Sequence, residues 1–277
     1  MGAGYRPGLQ LRHDVVGLLG ADPGGGQGLE DGEPVASRDG RVFSLIMATP
    51  KGSPIHELPA DPGRLSLVHR KVQPVLASAE YDAVEEWTVT VIAPQFRGRT
   101  TGGEVGMMTL YRLRRDNVSD CAPPTAAEGD DHWLAELSRF LLDWDGSPRA
   151  RFTDMVSSTD GDVLAVHNVC LAAQWYGTGV EAALLAEAIW ALADGCCAVV
   201  TDSYTNACPD HPPTADTRWS PVPSTVLDGV WPSIGFRRLP CLHLLDTAHD
   251  EPRRLRKQAR ADLAALSRTY QTRTPRH

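Results

Sequence analysis

Alternating apolar and polar positions mark the chain between residues 86 and 113. Glu86–Ala93 (EWTVTVIA) and Glu104–Leu113 (EVGMMTLYRL) repeat with the period of a strand, and Pro94–Gly103 lies between them. That pattern predicts an antiparallel hairpin. The period then changes. Trp133, Leu137, Phe140, Leu141 and Trp144 recur at helical spacing, which predicts a helix over Asp131–Trp144 capped by Asp130 or Asp131. Gly146–Gly161 reads as loop with room for a short strand. Val163–Leu171 is apolar and β-rich, Gln174–Gly179 (QWYGTG) is a glycine-bearing turn, and Val180–Leu192 is a strong helix. Cys196–Thr201 is a continuous apolar run after that helix, the pattern of a buried parallel strand. A long polar loop, Asp202–Pro223, precedes a helix over Ser224–Ile234 that Gly235 ends. Phe236–Leu245 reads as a last strand and Arg253–Tyr270 as a basic amphipathic helix. Upstream, Arg41–Thr49 predicts a first strand, Pro50–Gly63 is loop, and Leu65–Glu80 is ambiguous, with a helix expected near Pro74–Tyr81.

Composition narrows the class. Of 277 residues, 42% are hydrophobic and 22% charged, enough apolar material for a core. The net charge of -8 disfavours nucleic acid as a partner, because duplex binding needs clustered Lys and Arg, and it suits a cationic or amine substrate. No apolar run is long enough to span a bilayer, and no signal peptide is visible, so the expected location is cytoplasmic with no membrane partner. Cys121, Cys170, Cys196, Cys197, Cys208 and Cys241 show no CxxC spacing and read as reduced thiols. Cys208 and His211 lack a second pair, so no metal site is expected. From Glu251 onward there are eight Lys or Arg against two acids. This basic helix is expected to dock on the acidic body, a nucleic-acid arm being the alternative.

The strand–turn–helix over residues 163–192 carries the candidate chemistry. Glycine lets backbone approach a ligand closely, and the free N–H groups of a first helical turn attract phosphate. With Gln174, Gly177 and Gly179 at its fixed positions, QWYGTG resembles the [RQ]-x-x-G-x-[GA] fingerprint of the GCN5-related N-acetyltransferase (GNAT) superfamily. Val169, five residues before Gln174, fits the family's approach to that turn. Trp231–Arg237 (WPSIGFR) resembles its aromatic-x-x-aliphatic-Gly-Phe segment, and Asn206-Ala207 a familiar pair after the fifth strand. The resemblance covers roughly residues 40–246.

It implies an α/β fold: a GNAT-like mixed, mostly antiparallel central sheet splayed at the fourth and fifth strands, with flanking helices. The resemblance implies an acyltransferase domain over 39–248; outside it, Gly- and Pro-rich residues 1–38 read as a flexible N-terminal arm and 249–277 as a basic C-terminal helix and tail. The implied activity is acyl-CoA-dependent N-acyl transfer, with acetyl-CoA as co-substrate and a small-molecule or protein amine as acceptor. Cofactor-binding positions are Val169, Cys170, Leu171, Gln174, Trp175, Tyr176, Gly177, Thr178, Gly179, Val180, Asn206 and Trp231. The N–H groups of Tyr176–Val180 are expected to hold pyrophosphate, and the main chain of Val169 and Leu171 to hold pantetheine.

Candidate proton-handling residues are His167, Asn168, Glu104 and Tyr204, with Cys208 a further acid and Asp202 an anchor for a cationic substrate. Period two puts His167 on one face with Ala165 and Val169. Trp231 stands where relatives often carry the acidic tyrosine, and Gln174 is a neutral donor where many carry Arg. Both departures leave open a non-catalytic GNAT-fold CoA-binding or interaction protein. The oligomeric state stays open, a dimer among the options.

Overall fold

The computed structural model describes residues 54–71, 84–94, 103–114, 132–143, 147–202, 220–240 and 242–273. All of them belong to one compact unit, Met47–His277. The expected strand over Arg41–Thr49, the helix near Pro74–Tyr81 and the arm over 1–38 lie outside the described residues.

Two 3-10 turns, Ile55–Glu57 and Pro62–Arg64, lead into β1 (Ser66–Lys71). The predicted hairpin is β2 (Val84–Ala93) and β3 (Gly103–Leu113), antiparallel from Val84↔Leu113 onward. Helix α1 (His132–Leu141) follows, then a short α2 (Ala150–Thr153) in the stretch read as loop or strand. Strand β4 (Asp162–Leu171) pairs antiparallel with β3. Helix α3 (Val180–Leu192) returns the chain to β5 (Cys196–Asp202), which lies parallel to β4 and is almost wholly buried. A two-residue strand β6 (Ser220–Pro221) precedes α4 (Ser224–Ser233). Instead of one last strand there are two, β7 (Arg237–Arg238) and β8 (Leu242–Asp246), joined by a turn in which Leu239 N–H donates to the Leu242 carbonyl at 2.8 Å. Pro240 sits in that turn, where a strand would need its missing N–H. Helix α5 (Asp250–Arg273) completes the described chain.

The result is a mixed α/β architecture. Among the described residues an open eight-stranded sheet runs β1-β2-β3-β4-β5-β8-β7, with β6 on the edge of β4, and of its described pairs only β4–β5 is parallel. Each strand sends alternate side chains to opposite faces. Leu164 and Val166 join the core under α3, α4 and α5, whereas Val163 and Ala165 join the core under α1, with Phe152. Among the described residues, no helix is long and apolar enough to cross a membrane.

Candidate functional site

The centre of β4 carries an irregularity that decides the geometry. Val166 faces Leu110 and Asn168 faces Thr109, so His167 has no cross-strand position of its own. Such a bulge bends its strand and adds twist. The parallel ladder to β5 ends at Val166↔Thr201, while β4 runs on to Leu171. The bulge also changes which residues share a face. His167 lies with Ala165 on the α1 side, its ring 4.6 Å from Trp133 and 5.7 Å from Tyr111. Val169 lies in the opposite core, beneath α3 and α4. The expected common face of His167 and Val169 is therefore corrected: the extra residue shifts the alternation by one.

Beyond Val166 the free edge of β4 is taken by the chain itself. Cys170 faces Pro221 and Leu171 faces Ser220. Val222 N–H donates to the Val169 carbonyl at 2.8 Å. The Tyr176 hydroxyl lies 2.9 Å from the Leu171 carbonyl, the Ser220 carbonyl and Ser220 Oγ, and 3.2 Å from the Pro221 carbonyl. With one proton it donates to one carbonyl at a time and accepts from Ser220 Oγ. Burial raises its pKa, so it stays a phenol.

The turn to α3 starts where Ala172 N–H donates to Val105 at 2.7 Å. A 3-10 turn, Ala173–Trp175, buries Trp175 completely and leaves Gln174 exposed. Gly177 (φ 66°) and Gly179 (φ 86°) take left-handed conformations that glycine adopts without strain. Their two N–H groups form a cradle that is filled by the chain itself, whereas Tyr176 N–H donates to the Ala173 carbonyl at 3.1 Å. The carboxylate of Glu181, one residue into α3, accepts from Gly177 N–H and, at 3.0 Å, from Gly179 N–H. Thr178 Oγ1 bridges the same turn, donating to the Trp175 carbonyl at 2.8 Å and accepting from Val180 N–H at 3.4 Å. Glu181 is buried, and desolvation raises its pKa although the backbone N–H groups around it favour the charged form.

The remaining candidates are dispersed. Asn168 is buried and accepts from the Cys170 thiol at 3.4 Å. Glu104 is exposed at the start of β3, five residues from the Thr109 that faces Asn168. At ~3.4 Å per residue that is roughly 17 Å along the strand, out of reach of His167. Asp202 ends β5, partly exposed, opposite Leu242. Trp231 is a core residue of α4, its ring 5.1 Å from Phe236 and 6.3 Å from His243. Tyr204, Asn206 and Cys208 lie outside the described residues. Burial pushes the Cys196 thiol up to about 12, which leaves it inert as a nucleophile. Among the described residues no group of three or more His, Cys, Asp or Glu is placed to hold a metal.

Two participants were missed by sequence reasoning. An acid one residue inside a helix after a glycine turn is a recognisable capping signal, so Glu181 was open to detection. Ser220–Val222 carries no periodicity, and its pairing with β4 is a long-range event. Compared with protein-family models, curated proteins and solved structures, the chain matches none of them.

Proposed function

We propose that this is an acyl-CoA-dependent N-acyltransferase of the GNAT type, transferring an acetyl group from acetyl-CoA to an amine. One arrangement carries the reading. A parallel strand pair loses its ladder midway, at a bulge, and the freed strand runs into a helix through a glycine turn whose Gly177 and Gly179 N–H groups converge on the Glu181 carboxyl group. An extended thioester arm with a phosphate at one end matches that slot and cradle in shape and charge. In such a transfer the amine nitrogen forms a bond to the thioester carbonyl carbon, the carbon–sulfur bond breaks, and the thiolate leaves. His167, beside the bulge, is our candidate for the proton acceptor. Tyr204 and Asn168 remain proposed partners, and Glu104 is too distant to share a proton with His167. A small-molecule or protein amine as acceptor and the cytoplasm as location belong to the same proposal.

A specific observation favours a second reading, a non-catalytic protein of the same fold. As folded, the cradle holds Glu181 and the Val169 carbonyl holds Val222 N–H. The groups expected to receive phosphate and pantetheine do not fit them in this conformation. Titration calorimetry with acetyl-CoA, followed by a thiol-release assay across an amine panel, separates the readings. Binding with thiol release is the expected result. Binding without release on any amine selects the second reading, and no binding at millimolar acetyl-CoA, by this chain or by folded Tyr176→Phe and Ser220→Ala, removes both.

A further inference from the structure

The slot beside β4 is closed by a strand with unusual termini. In β6 and its continuation, Ser220 and Val222 point their main chain at β4, and the alternate positions are Pro221 and Pro223. Proline has no N–H, so the far side of this strand offers no donor at those two positions and cannot extend the ladder toward β5. The segment therefore terminates the edge rather than continuing the sheet. Among the described residues it is held by a two-residue pairing, one further main-chain bond to Val169, the Tyr176 hydroxyl and the buried Val222 side chain. Opening it breaks these bonds and withdraws the Val222 side chain from the core, a local event that leaves the rest of the sheet paired.

Tyr176 belongs to the turn that also presents Gly177 and Gly179 to Glu181. One short stretch, Tyr176–Glu181, thus holds the plug in the slot and the carboxylate in the cradle.

We infer that Ser220–Val222 is an intramolecular plug, latched by Tyr176, that occupies the site of the co-substrate's extended arm and must leave before that arm can bind. This inference rests on the proposed function. It implies that apparent affinity is lowered by the fraction of molecules in which the plug is seated. The latch, not the slot, then sets the resting state.

The experiment measures hydrogen exchange at the Val222 amide with and without acetyl-CoA, and acetyl-CoA affinity in the full chain, Tyr176→Phe and Ser220→Ala. Melting curves establish that each variant is folded. The expected result is a Val222 amide that exchanges about tenfold faster when acetyl-CoA is bound, with both variants binding roughly fivefold to tenfold tighter than the parent. Binding seen only in the variants supports the inference equally. Acetyl-CoA bound with Val222 protection unchanged and no gain in either variant overturns the plug and leaves the proposed function standing. No binding by the parent or by either folded variant removes the proposed function, and the plug falls with it. The exchange measurement on the parent chain needs no substitution, so a variant that fails to fold does not shelter the inference.

Discussion

Glu181 occupies a position with two opposing demands. Its carboxylate completes the hydrogen bonding of Gly177 and Gly179, yet it is buried, and burial prevails in raising its pKa above the ordinary 4.5. The folded chain then holds this proton more tightly than the unfolded chain does. The stabilisation from Glu181 is fully present below pH 4.5 and is lost as pH rises through the raised value. Glu181→Gln should remove that dependence. Urea unfolding followed from pH 4 to 8 is expected to show a downward contribution in the parent, at most about 1.4 kcal/mol per pH unit, that is absent from the variant. Parallel curves for the two proteins would mean that Glu181 does not titrate in that range.

At the level of elements, β3 and β4 leave no room for a side chain at Gly106. A Cβ there would stand 2.7 Å from the Cys170 carbonyl oxygen and from Leu171 Cδ1. Since a backbone oxygen cannot swing aside, Gly106→Ala should destabilise the fold by about 1–3 kcal/mol and lower the melting temperature, because β4 must shift at the segment that bears the plug. An unchanged melting temperature would show that the two strands yield at no cost.

The same strands mark the boundary of what the amino-acid order discloses. Val84–Ala93, Gly103–Leu113 and Val180–Leu192 were legible because their periods are local properties of consecutive residues. So was the glycine turn at 177–179, since two glycines between an apolar strand and a helix mark a turn; their left-handed conformations came from the structure. The bulge at His167 was not, because it arises from the pairing with Thr109 and Leu110 and leaves no local pattern. The split of Phe236–Leu245 was within reach, as Pro240 lies in its middle. The seating of Ser220–Val222 on β4 joins residues some fifty positions apart, and no window along the chain spans it.

Across the whole molecule, α5 holds together parts distant in sequence. Glu187 of α3 accepts a forked pair of bonds from Arg256, at 2.9 and 2.8 Å, and a second pair from Arg260. Arg253 and Arg256 lie 5.6 and 6.0 Å from the Trp190 ring. The basic helix thus spends these arginines on docking, as its charge against an acidic body led us to expect. The two arginines hold the Glu187 carboxyl down to about 2 despite some burial. This depressed pKa gives stability that is present above 4.5 and lost as pH falls toward about 2. Glu187→Gln is expected to cost about 1 kcal/mol at neutral pH, a figure reduced for solvent screening, and to flatten acid unfolding in that window. A variant as acid-sensitive as its parent would assign the loss to other carboxylates.

The far end of α5 reaches further back. Asp61, buried beside the second 3-10 turn, accepts from Ser267 Oγ at 2.6 Å and from Gln271 Nε2 at 2.7 Å, across 206 and 210 residues of chain. On a ribosome adding roughly 5–20 residues per second, Asp61 emerges at least about ten seconds before either partner exists. During that interval its carboxylate has only water and its own turn for company. The strands of the sheet can pair as they appear, but this corner can close only after synthesis has passed Ser267 and Gln271.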